Sequence, residues 1–351
     1  MTIFSATRNT LRWLWLSFVL ITVSMGSRLF YLYSAITRSI PVDFINISKF
    51  RPNLRVRGII ARFTILFCAV GLVSSGQAAE ANWTQLFAFG DSFSDSGAGY
   101  VDGNGPTAIV YAAQDMGISF TYSTDPDAGD RGRNYAVSGA QTGEGEGEWK
   151  KDAFLGYGMQ NQVRDFVEGV VSGAIIFAPE HTLFFLAGGL NDRQLETETT
   201  TNNLTLLIRQ LHGVGARHFS IAVLPVRLRS FTDVATRLNP ALKALPATLK
   251  AEFPDAEFRS SRWGEFFDTV MLEPARYGII NTTKACAGRA IFDQDTTPRG
   301  DPDTYYFYHS GHPSTAVHLI VGRELANEFR RISDRWPLDA GADVVPGDAT
   351  N

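Results

Sequence analysis

From Asn82 onward the sequence alternates short apolar runs with stretches whose apolar residues recur three to four positions apart. Period-2 or continuous apolar runs of four to eight residues suit strands, and the longer spacing suits helices. The pattern predicts a strand over 85–90 (QLFAFG), a helix over 107–116 and an amphipathic helix over 159–170. A buried strand follows over 181–187, ending at Gly188-Gly189, and then a helix over 201–211 that stops at His212-Gly213. Next come a strand over 218–225, a helix over 239–253 despite Pro240 and Pro246, a short strand over 256–259 and a last helix over 314–332. Strands that alternate with helices build a parallel sheet covered on both faces. Sites in such sheets lie outside the carboxyl ends of the strands.

Charge divides the chain unevenly. Residues 1–79 hold nine Lys and Arg against Asp43 alone, which leaves 23 basic and 35 acidic residues in the remainder, a net of −12. Two uncharged apolar segments lie in this leader, 13–27 and 63–79. The second follows Arg55, Arg57 and Arg62 and ends in small residues, the pattern of a signal peptide cleaved after Ala78, Ala79 or Ala81. The alternative is a retained membrane hairpin whose basic loop faces the cytoplasm. Either way the body, 80–335, is expected outside the cytosol as one domain, followed by a loose acidic tail over 336–351. Sequons at Asn82, Asn203 and Asn281 are then candidate N-glycan sites. Cys68 lies in the leader and Cys286 in the body, so neither a disulfide framework nor a paired-cysteine zinc site is available to the body.

Gly90-Asp91-Ser92-Phe93 directly follows the first strand, which presents Ser92 at the sheet's carboxyl edge. A serine there suits a nucleophile whose own backbone N–H helps to hold an oxyanion. His312-Pro313 precedes the last helix, and histidine is the usual base near neutral pH. Ser138-Gly139-Ala140 and Gly189-Leu190-Asn191-Asp192 supply a glycine N–H and an asparagine amide, both suitable oxyanion donors. Asp102-Gly103-Asn104-Gly105 and Asp125-Pro126-Asp127 lack the spacing of a calcium loop and read as solvated turns.

In this order, the strand-GDSF start, NYAVSGAQT, the strand-GGLND segment and the terminal HPS resemble the four blocks of the SGNH hydrolases, also called GDSL esterases/lipases. The resemblance covers about 82–331. It implies a three-layer α/β/α fold with a flavodoxin-like parallel sheet of about five strands. It further implies Ser92 as nucleophile, His312 as general base, and the N–H groups of Ser92 and Gly139 with the Asn191 side chain as the oxyanion hole. Asp91 and Asp192 support their blocks, and neither metal nor organic cofactor is implied.

One position departs from that pattern. The family has an aspartate three residues before the histidine, and here it is His309, in Tyr308-His309-Ser310-Gly311-His312. Three readings stay open: a Ser–His dyad steadied by His309 or a backbone carbonyl, a carboxylate from elsewhere (Asp301, Asp303 and Asp295 are nearest in sequence), or lost activity. The expected function is a secreted carboxylic-ester hydrolase acting on neutral esters, either lipid or short-chain. An acetyl esterase on plant polysaccharide is the alternative, for which Tyr100, Tyr111, Tyr122, Trp149 and Tyr157 offer stacking surfaces. A catalytically impaired binding protein on the same fold is the reading from another class. The acidic body argues against nucleic acid as a partner, and a monomer is expected.

Overall fold

The computed structural model describes residues 83–334. The leader 1–79, the Asn82 sequon and the tail 336–351 lie outside the described residues. In chain order the elements are β1 (Gln85–Gly90), α1 (Ala108–Asp115), β2 (Phe120–Tyr122), β3 (Gly132–Asn134), β4 (Glu146–Lys150), β5 (Ala153–Tyr157), α2 (Met159–Val171) and β6 (Thr182–Ala187). They continue with α3 (Thr197–Gly213), β7 (His218–Ala222), α4 (Thr232–Glu252), β8 (Glu257–Ser261), α5 (Trp263–Leu272), β9 (Asn281–Ala285), β10 (Tyr305–His309), β11 (His312–Pro313) and α6 (Thr315–Asp334).

The central sheet has six strands in the order β2-β3-β1-β6-β7-β8, and every pairing in it is parallel. Six strands agree with the expected sheet of about five. One edge, β2 and β3, consists of the three-residue stretches FTY and GRN. Neither is long or apolar enough to show a period. By contrast β1 and β6 are buried almost throughout, which is why they read as unbroken apolar runs rather than alternating ones.

The register Phe87↔Phe184 and Ala88↔Phe185 sends alternate side chains into two helical layers. On one face Phe87 packs on Phe166 of α2 at 4.8 Å between ring centroids and on Phe184 at 5.5 Å. On the other, Phe185 meets Phe329 of α6 at 5.7 Å and Trp263 of α5 at 6.4 Å. Helix α4 begins well before the predicted 239. Its buried stripe of Val234, Leu238, Leu242, Leu245 and Leu249 outweighs the ladder bonds that Pro240 and Pro246 remove.

From β1 the chain moves to β3 and β2 on one side and then to β6, β7 and β8 on the other. The strand order thus reverses at β1, and a crevice opens at its carboxyl end. Close approach there requires Gly90: an added Cβ would lie 2.5 Å from the Ala187 carbonyl oxygen. The Gln162 amide closes the strand end, accepting from Gly90 N at 3.0 Å and donating to Gly90 O at 2.9 Å. Gly90→Ala is expected to destabilise the fold by about 1–3 kcal/mol, read as a lower urea midpoint with an unchanged slope.

Candidate active site

Just beyond Gly90 the chain turns on Asp91, whose carbonyl accepts from Ser94 N at 2.9 Å and Asp95 N at 3.0 Å. The Asp91 carboxylate accepts from Phe93 N at 3.1 Å, and burial pushes its pKa up to about 7. Phe93 is wholly buried against Phe231, Trp263 and Phe267. These contacts fix the turn and leave Ser92, 8% exposed, facing the crevice.

His312 reaches Ser92 from the far end of the sequence. Strands β10 and β11 form an antiparallel pair that places His309 opposite His312, joined through Ser310-Gly311 with Gly311 at φ +80°. The His312 Nε2 atom lies 2.8 Å from Ser92 Oγ. Its Nδ1 faces Arg289 Nη2 at 2.5 Å and the Ser310 carbonyl at 3.3 Å.

The carboxylate of this site comes from Asp102. His309 Nδ1 donates to Asp102 Oδ1 at 2.7 Å. Arg289 Nε lies 3.1 Å from the same oxygen, and His312 Nε2 lies 3.4 Å from Oδ2. Asp102 is 8% exposed, so reading it as part of a solvated turn was incorrect. Its loop is fixed to the start of α6, where Asn104 Oδ1 accepts from Thr315 N at 2.8 Å and Thr315 Oγ1 donates to the Pro106 carbonyl at 3.0 Å. Asp295, Asp301 and Asp303 are exposed, and Asp295 and Asp301 accept from backbone amides of their own turns. Sequence proximity favoured them, but the sheet brings the 102 loop across 207 positions to His309.

Gly139 and Asn191 line the same cavity, about 280 Å³ in volume, with Ser92, His312, Arg193 and Arg289. Gly139 adopts φ +81°, a left-handed conformation that favours glycine. Asn191 Nδ2 donates to the Ala140 carbonyl at 2.9 Å, which fixes the amide and leaves its second N–H. Asp95, overlooked in the sequence, secures the loop beneath: it accepts from Gly97 N, Gly99 N and Ser138 N, and burial raises its pKa to about 6. Asp192 is structural, binding Thr142 N, Thr142 Oγ1 and Thr200 Oγ1. Cys286 is a buried free thiol.

The expected aromatics separate. Tyr100 stacks over His309, and Tyr111 bonds Thr315 Oγ1. The Tyr122 ring lies close to Gly97. Trp149 and Tyr157 instead line a second cavity of about 550 Å³ with Tyr135 and Phe154. Asn203 lies in α3 with its amide engaged at both ends, by Gln160 and Thr142. Among the described residues no helix is long and apolar enough to cross a membrane, and no group of three His, Cys, Asp or Glu could hold a metal ion.

A covered parallel sheet with a serine and a histidine in contact at its carboxyl edge is the framework of serine ester hydrolases. The sequence profile of the GDSL-like lipase/acylhydrolase family matches residues 86–325, and the chain belongs to that family, whose members are hydrolases acting on ester bonds. A GDSL esterase/lipase of Arabidopsis thaliana is 24% identical over 312 residues, 68% of this chain and 80% of that one. Another from the same plant is 27% identical over 175 residues, 42% of this chain and 48% of that one, so the match spans about half of that relative. Among solved structures, an acetylxylan esterase mutant from Geobacillus stearothermophilus covers 70% of this chain and 93% of its own, at 15% identity and a TM-score of 0.39. A family 3 carbohydrate esterase from Clostridium thermocellum covers 71% and 98%, at 14% identity and a TM-score of 0.40.

Burial pushes the His312 pKa down to about 4; Asp102 pulls it up, while Arg289 and His309 push it further down. The imidazole is therefore neutral at pH 6. Following its Hε1 proton by NMR is expected to show titration near pH 4. Arg289→Met should raise the midpoint, and Asp102→Asn should lower it.

Proposed function

We propose that the protein is a carboxylic-ester hydrolase in which Ser92 is the nucleophile and His312 the general base. The 2.8 Å approach of His312 Nε2 to Ser92 Oγ carries this reading, because that separation suits direct proton transfer. With the imidazole proton on Nδ1, directed at the Ser310 carbonyl, Nε2 takes the Ser92 proton as Oγ bonds to the ester carbonyl carbon. The carbonyl electrons move to oxygen, where the N–H groups of Ser92 and Gly139 and the Asn191 amide receive the charge. Collapse expels the alcohol, protonated by His312, and leaves an acyl-serine. Water, deprotonated by His312, then releases the acid and restores Ser92.

Asp102 supplies the negative charge that position 309 lacks. It stands on the Nε2 side of the ring rather than the usual Nδ1 side, so its contribution is electrostatic stabilisation of the imidazolium. His309 is then a support for Asp102, not a substitute acid. Of the three readings, a carboxylate from elsewhere is the one we adopt, with Asp102 in place of the three sequence neighbours.

A cavity of about 280 Å³ beside Ser92 lies at the small end of ligand pockets and favours short acyl groups. Export follows from the basic leader, and the net charge of −12 in the remainder favours neutral esters over polyanions such as nucleic acid. With p-nitrophenyl esters from acetate to palmitate, turnover should be highest at two to four acyl carbons and should vanish in Ser92→Ala. Asp102→Asn should lower kcat by about ten- to a hundredfold, each decade being about 1.4 kcal/mol of lost stabilisation. Equal activity of Ser92→Ala and wild type would refute the proposal.

A second reading, acetyl ester on polysaccharide, has one specific support. Trp149 is 73% exposed and lies 5.2 Å from Phe154, which in turn lies 5.6 Å from Tyr157. These rings line the larger cavity together with Asp152 and Asp165. Aromatic faces beside carboxylates suit the C–H faces and hydroxyls of a sugar. The next residue of β5, Leu155, lines the cavity at Ser92, so the two cavities flank one strand. On this reading Trp149→Ala raises KM on acetylated xylan at least about tenfold, the size of one lost ring contact of about 1.4 kcal/mol, and leaves p-nitrophenyl acetate unchanged.

A further inference from the structure

We infer that Arg289 is a positioning residue that holds His312 in the tautomer unable to accept the Ser92 proton, and that Arg289 must leave Nδ1 before acylation. The inference rests on the base role of His312 proposed above. Its starting point is donor chemistry. A guanidinium has five N–H donors and no acceptor, so at 2.5 Å from Arg289 Nη2 the His312 Nδ1 atom can only accept. A neutral imidazole carries one proton. That proton is then on Nε2, and Ser92 Oγ at 2.8 Å receives a hydrogen bond instead of giving one.

The surroundings select the same tautomer from both sides. Asp102 Oδ2 lies 3.4 Å from Nε2, and a carboxylate favours a proton on the nitrogen facing it. At the opposite end, Arg289 Nη2 also donates to the Ser310 carbonyl at 2.6 Å. That oxygen is the acceptor an Nδ1–H would use, at 3.3 Å. Arg289 thereby occupies both the ring nitrogen and its alternative partner. Its Nε lies 3.1 Å from Asp102 Oδ1, an ion pair without hydrogen-bond alignment, so the side chain is held by charge while its Nη2 points at the ring.

Release conserves protons. When the guanidinium withdraws, Nδ1 takes a proton from water and turns it toward the Ser310 carbonyl. Nε2 gives its proton to water, directly or by way of Asp102. Arg289 lines the cavity at Ser92, so it can withdraw into the space a substrate enters. An acceptor oxygen on the bound ester then competes with Nδ1 for the guanidinium, and substrate binding sets the base.

The test reads the tautomer directly. In long-range 1H–15N spectra of histidine-labelled protein at pH 7, with His312 assigned through His312→Asn, the free wild type is expected to show a protonated Nε2 and an unprotonated Nδ1. Arg289→Met, still folded by its amide spectrum, is expected to reverse the two. Its reaction with a fluorophosphonate, which needs Ser92 activated, should accelerate by about tenfold, as for a competent state raised from a tenth to full population. A wild-type His312 already protonated at Nδ1 overturns the proposal. So does an unchanged tautomer in folded Arg289→Met. No fluorophosphonate reaction in either protein, with the tautomer reversed, would instead count against Ser92 as nucleophile and leave the Arg289 effect established.

Discussion

The burial of β1 on both faces and its pairing on both edges set the position of everything at the site. A strand enclosed this way cannot slip in register without driving Phe87 and Phe89 into the packing of the opposite layer, because a shift of one residue moves every side chain to the other face. Its carboxyl end is therefore a fixed point. Gly90, held at close range to Ala187 and bonded to the Gln162 amide on both sides, passes that rigidity to the turn at Asp91. Ser92 inherits a defined direction from the packing beneath it.

Around that fixed serine the protein assembles charge rather than volume. Asp102 lies within reach of Arg289, His309 and His312, so one buried carboxylate balances a guanidinium and two imidazoles. Burying such a group is costly unless it is paired, and the loop 102–106 accepts that cost because it is anchored to α6. Burial of its own ring, aided by Arg289 and His309 and opposed by Asp102, keeps His312 neutral at mildly acidic pH. The charge of −12 over residues 80–351 says little about this cavity, where Arg193 and Arg289 face a single Asp102. Fields at short range in a partly desolvated site follow the nearest charges.

Legibility in the sequence followed the range of the interactions. Strands β1, β6 and β7 were plain because burial on both faces writes an unbroken apolar run. Strands β2 and β3 were not, since three residues such as FTY or GRN carry no period and pair only because β1 offers a free edge. Ser92, Gly139, Asn191 and His312 stood out through their local motifs, and all four line one cavity. Asp102 and Arg289 had no such signal. An Asp-Gly-Asn-Gly stretch reads as a solvated turn unless something folds over it, and an arginine between Gly288 and Ala290 is indistinguishable from any surface cation.

The sequence by itself indicated the layered architecture and the candidate nucleophile, base and oxyanion donors, because each lies in a short run of contiguous residues, most of them at a strand end. It also exposed the absence of an aspartate at position 309. Only the tertiary structure decided which carboxylate stands beside His309 and His312. The β10–β11 pairing turns His309 and His312 side by side, and the start of α6 holds the 102 loop against them. A carboxylate far away in sequence can then act at contact distance, since electrostatic interaction depends on separation in space and on burial, neither of which the order of residues specifies.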